Sequence, residues 1–145
     1  MGTRIPFVIF GDGPRFASGL ARIARDLATR LVAEADDLGI RFAQVGIDDP
    51  GGWHWQTWDF YGFQPNDQDQ GRSAVARVAA ELQQECEGAH PIVLMITDPA
   101  RCYDLTRYAP DLAGVEVTLD AEFWGYFPID AYNRLHALGG PAAQC

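Results

Sequence analysis

The residues of this chain best suited to chemistry stand where apolar runs stop. Ile5-Pro6-Phe7-Val8-Ile9-Phe10 is continuous and apolar, halts at Gly11-Asp12-Gly13-Pro14, and is followed by Ser18-Gly19 at the start of a helical pattern. A strand, a glycine-bearing loop and a helix bring the helix's first N–H groups to the carboxyl edge of a sheet. There they can meet a ligand's phosphate or hydroxyl groups. A plain helix cap at Ser18 accounts for the same two residues equally well. Asp98 and Asp130 each follow an apolar stretch where a strand is expected to end, which makes them candidates for that edge. Arg101, about one helical turn past Asp98, can pair with it or hold an anion. Asp67-Gln68-Asp69 has the spacing of a metal- and diphosphate-binding pair, but beside Asn66 and Gln70 it reads as a solvated loop.

Trp53 and Trp55 open an aromatic-rich stretch that runs to Phe63. Their faces can stack on the C–H faces of sugars or on bases, and their edges donate hydrogen bonds. The same cluster also fits a core or an interface, and the partial alternation fits either a short strand or a packed loop. His54 reads as a packed histidine, since no second histidine lies at metal-ligand spacing. Other chemistries lack their residues. The place of the third glycine in the dinucleotide fingerprint is Phe16, and there is no lysine for a Walker loop or a Schiff base. No G-x-S-x-G elbow and no Cys–His pairing suggests a nucleophile. Cys86, Cys102 and Cys145 are too widely spaced for a metal site. Neither metal nor cofactor is expected.

The elements that would position these residues alternate. Leu20, Ile23, Leu27, Leu31, Ala35 and Leu38 trace one helix that Gly39 stops. A strand follows through Asp48, then a helix from Arg72 to Glu87 and a buried strand from Pro91 to Thr97. A short helix is expected from Asp98 to Tyr108 and a strand at Val115–Leu119. Phe123–Phe127 reads as extended and Ala131–Leu138 as helical. Such alternation predicts an α/β fold, Rossmann-like, with a mostly parallel sheet and helices on both faces. The 145 residues suit one domain. A net charge of −9 opposes binding to nucleic acid or an anionic membrane. No signal peptide or membrane-length apolar run is visible, so a cytoplasmic setting is expected. Pro141-Ala142-Ala143 resembles a helix's first turn at the chain's end, which suggests a domain of a longer protein as readily as a frayed terminus.

Ser18-Gly19-Leu20-Ala21-Arg22-Ile23-Ala24-Arg25-Asp26-Leu27 resembles the first loop and helix of family-4-like, GT-B-fold glycosyltransferases. Ile92–Arg101 is similar to a later strand and turn of the same half. Phe123–Asp130 is similar to the strand carrying a polar residue of the interdomain cleft. The resemblance implies the N-terminal, acceptor-side domain of a retaining enzyme that uses a nucleotide-diphospho-sugar donor and a sugar or glycosylated acceptor. It implies that Ser18 and Gly19 approach the donor's diphosphate or sugar, and that Asp130 stands where relatives often carry a histidine. A carboxylate there accepts from sugar hydroxyls. The donor-binding second domain is not in this chain, so the chain alone is expected to be inactive. A non-catalytic Rossmann-like module, with Trp53–Phe63 as its partner surface, is the other reading.

Overall fold

A computed structural model describes residues 3–14, 18–47, 51–55, 58–63, 71–97, 111–112, 115–116 and 121–126. The first strand, β1, is Ile5–Asp12, followed by helices α1 (Gly19–Ala33) and α2 (Ala35–Leu38) and strand β2 (Ile40–Ile47). Next come β3 (Gly51–Trp55), β4 (Trp58–Phe63), α3 (Arg72–Glu85), β5 (Ile92–Ile96), β6 (Asp111–Leu112), β7 (Val115–Glu116) and β8 (Glu122–Tyr126).

Five strands run parallel in the order β4-β2-β1-β5-β8, and β3 lies antiparallel on the outer edge of β4. The fold is therefore α/β and Rossmann-like, with a mostly parallel sheet. The chain builds outward from β1 through β2 to β4, then returns to start again on β1's other side with β5. That return makes β1 and β5 the switch point, beside which open α/β sheets leave a crevice at their carboxyl edge.

Side-chain alternation along each strand separates two cores. Val8, Phe10, Val45, Val93 and Met95 pack against Val75, Val78 and Leu82 of α3. Phe7, Ile9, Ile40, Phe42, Trp58 and Ile96 pack with Ala24 and Ala28 of α1 on the other face. The small residues Ala21, Ala24 and Ala28 form the buried line of α1 and let it lie close to the strands.

One element differs from the sequence expectation. The helix read as running through Leu38 stops at Ala33, and a separate turn of helix, α2, ends at left-handed Gly39 (φ +66°). No residue of α2 is buried, so packing does not enforce a continuous helix there. The aromatic stretch forms an antiparallel strand pair, β3 and β4. Trp58, Phe60 and Phe63 are buried in it, so that half belongs to the core and is withdrawn from any partner surface. Among the described residues, Val115–Glu116 pairs with Asp111–Leu112 and not with the main sheet. The helices expected at Asp98–Tyr108 and Ala131–Leu138 lie outside the described residues.

Candidate functional site at the carboxyl edge of β1

The carboxyl edge is assembled around the end of β1. Gly11 sits in register with Gly46 of β2 and Ile96 of β5. A Cβ at Gly11 would lie 2.4 Å from the Ile96 carbonyl oxygen, and one at Gly46 would lie 2.8 Å from the Gly13 nitrogen. Only bare backbone allows the chain to leave β1 this tightly. The Gly13 N–H then donates to the Ile47 carbonyl at 3.0 Å. Arg25 reaches back from α1 to donate to the Pro14 carbonyl at 2.9 Å.

Ser18 is the N-cap of α1. Its hydroxyl accepts from the Ala21 N–H at 3.0 Å and donates to Asp12 Oδ2 at 2.6 Å. The first turn of α1 has no acidic residue of its own, so Asp12 brings the negative charge that suits the helix's positive end. Among the described residues no acceptor meets the N–H groups of Gly19 or Leu20. Among the described residues, a Cβ built on Gly19 has no atom within 4 Å, so none of them covers this backbone. The edge can therefore offer backbone donors next to a carboxylate acceptor. That pairing suits a hydroxyl, which both accepts and donates, better than a phosphate, which the carboxylate repels.

Behind this edge lies a buried polar contact. Gln44, fully buried in the middle of β2, accepts from the Trp58 indole N–H at 3.0 Å and donates to the Asp12 carbonyl at 3.3 Å.

The opposite, amino edge is built from charge. Arg41 donates to Asp59 at 2.7 Å, to Glu85 at 2.8 Å and to the Phe42 carbonyl at 2.9 Å. Burial opposes its charge, but the hydrogen bonds and charges of Asp59 and Glu85 outweigh burial and hold its pKa above the ordinary value. A groove of about 240 Å³ opens here, lined by Arg4, Ile40, Phe42, Trp58 and the Arg41–Asp59 pair. It is smaller than a typical small-molecule site of roughly 300–1,000 Å³.

Of the residues singled out in the sequence, the structure brings Ser18 and Gly19 to the carboxyl edge. Trp53 and Trp55 lie on β3 at the sheet's far side, and their side chains are outside the described residues. Asp98, Arg101 and Asp130 also lie outside them. The strands leading to the two aspartates, β5 and β8, run parallel to β1 and end on its edge. Sequence reading passed over Asp12 and Gln44. Asp12 carries the same signal that marked Asp98, an acidic residue closing an apolar run. Gln44 had a weaker signal, a lone amide inside an otherwise apolar strand.

Among the described residues no helix is long and apolar enough to cross a membrane, and no group of three or more His, Cys, Asp or Glu gathers as a metal site would require. In comparisons with protein-family models, curated proteins and solved structures, nothing matches this chain.

Proposed function

We propose that this chain is the acceptor-side, N-terminal domain of a retaining GT-B-type glycosyltransferase, which moves a sugar from a nucleotide-diphospho-sugar to a hydroxyl of a sugar or glycosylated acceptor. The observation that carries this reading is the open backbone at Gly19 beside the Asp12–Ser18 pair, at the switch point of a Rossmann-like sheet. Sugar hydroxyls match its adjacent donors and acceptor. Within the reading, Ser18 and Gly19 serve a sugar and leave the diphosphate to a second domain, because Asp12 disfavours phosphate at this spot.

In the transfer, the bond from the anomeric carbon to the diphosphate oxygen breaks, a bond forms to the acceptor oxygen, and the acceptor's proton passes to the departing diphosphate. Fixed hydrogen-bond donors and a held acceptor would contribute mainly by orientation and by stabilising charge. Asp130 is assigned to the transferred sugar on resemblance; Asp98 and Arg101, for their place after an apolar strand, and Trp53 and Trp55, for their stacking faces, are assigned to substrate contacts. A cytoplasmic setting belongs to the same reading. Donor binding falls to a second domain, so this domain alone is expected to bind without transferring. The alternative, an interaction module using the aromatic stretch, has lost Trp58, Phe60 and Phe63 to the core.

The test is a titration of the isotope-labelled chain, followed by amide resonances, with methyl mannoside, methyl glucoside, UDP-glucose and GDP-mannose. Saturable shifts at Gly13, Gly19 and Leu20 with at least one of the neutral glycosides are expected. Gly19→Trp should abolish them while the rest of the spectrum stays in place, because no described residue lies within 4 Å of a Cβ there. If no probe moves these amides, or if Gly19→Trp binds as well as wild type, the assignment of this edge is wrong.

A further inference from the structure

We propose that Gln44 is a positioning residue for the Asp12–Ser18 edge, and that through it the Trp58 indole sets how that edge is presented to a ligand. The inference rests on the reading of this edge as a sugar site, but its mechanical part stands on geometry alone.

Gln44 has none of its surface exposed, and Trp58 is nearly as buried. Its neighbours on the same face of β2, Ile40 and Phe42, are apolar. A leucine or methionine would fill the space without the cost of burying an amide, which is large unless both ends are bonded. Both ends are bonded, and in one orientation only. An indole N–H can only donate and a carbonyl oxygen can only accept, so the amide oxygen faces Trp58 and the amide nitrogen faces Asp12. Glutamate, ionised, has nothing to donate to the Asp12 carbonyl. Apolar residues serve neither partner.

A second, independent feature points to the same place. Gly46, two residues along β2 and on the same face as Gln44, has its missing side chain replaced by the backbone of Gly11, Asp12 and Gly13. The end of β1 therefore rests on β2, with Gly46 giving it room and Gln44 giving it a hydrogen bond. The Asp12 peptide is thus held from beneath, while its side chain holds the Ser18 hydroxyl and, through that, the first turn of α1. The chain of contacts runs Trp58, Gln44, Asp12, Ser18, Ala21, and it links β4 to the helix start across the sheet.

The experiment compares wild type, Gln44→Met, Trp58→Phe and the double variant by amide hydrogen exchange, residue by residue. Protection at Gly13 and Ala21 is expected to fall about tenfold in Gln44→Met, the equivalent of roughly one net hydrogen bond. Val8, Phe10 and Val78 should change less. Trp58→Phe should reproduce the pattern, and the double variant should lose no more than Gln44→Met alone. A residue with only a packing role would do the reverse, lowering the slowest core amides and sparing local opening at the edge. That result, or losses that multiply in the double variant, overturns the proposal. Titration with methyl mannoside separates the two claims. Where wild type binds it, both single variants should bind about tenfold more weakly, and equal binding overturns the presentation role. A wild-type chain that binds no glycoside removes the functional reading and the ligand half of this proposal together. The exchange pattern still decides whether Gln44 holds the edge.

Discussion

The two ends of the parallel sheet solve opposite problems. At the amino edge, Arg41 is shared between Asp59 and Glu85, so the charges there are spent on one another. At the carboxyl edge the chain uses glycine, a capped helix and one carboxylate, and it leaves backbone at Gly19 open. One end satisfies its own charges, and the other holds the donors and the carboxylate that the proposed function assigns to a sugar. Parallel strands make this division natural, because every crossover returns the chain to the same starting edge and leaves all strand termini on the other.

The contrast breaks most visibly at glycine. Gly11→Ala would drive a Cβ to 2.4 Å from the Ile96 carbonyl, so β1 and β5 must part. A loss of about 3 kcal/mol in urea denaturation is expected, at the upper end for overpacking. Gly19→Ala meets no described residue within 4 Å and suits the helix's first position better, so a gain of about 0.5 kcal/mol is expected. Equal losses at the two positions would mean that Gly19 is as enclosed as Gly11, and the open edge would vanish.

The charged end comes next. Arg41→Met leaves Asp59 and Glu85 facing each other without their shared cation. Glu85 is half exposed and solvent screens it, so the loss expected is about 2 kcal/mol, below that of a fully buried pair. Wild-type stability should fall with added salt more than the variant's does. The amide resonances of Gly13, Gly19 and Leu20 should stay where they are. If they move, the two edges are not separate.

Most of the frame was legible from residue pattern. Apolar runs marked β1 and β5, and β2 despite Arg41 and Gln44 within it, because strands buried on both faces have no reason to alternate. The small and apolar face of Gly19–Ala33 marked α1. Two features were not legible. The turn at Glu34 depends on α2 having no fully buried residue, which periodicity alone does not show because Leu38 continues the apolar spacing while standing half exposed. The pairing of β3 on β4 is antiparallel because the link between them, Gln56-Thr57, is too short for any crossover. At the site, local signals found Ser18 and Gly19. They could not find the Trp58–Gln44–Asp12 contacts, whose members stand fourteen and thirty-two residues apart along the chain.

The smallest effect sharpens the same division through pH. Burial pushes the Tyr61 phenol above its ordinary 10.0, with the charges of Asp59 and Glu81 adding to it, and burial pushes the Cys86 thiol above 9.0. For both groups the folded state holds its proton longer than the unfolded chain does. Full stability is therefore present below the unfolded values and is lost as pH rises past them toward the folded ones, because the unfolded chain ionises first. A declining limb is expected from about pH 9, first from Cys86 and then from Tyr61. Tyr61→Phe should flatten only the part above pH 10, read as the urea midpoint at each pH. Both groups titrate among the amino-edge charges, Asp59 and Glu85 among them, so amide exchange at Gly13 and Ala21 should show no step of its own over this range beyond the ordinary base-catalysed rise. An unchanged limb in Tyr61→Phe would show that the phenol is already solvated. A step at Gly13 would show that ionisation on the charged side reaches the carboxyl edge.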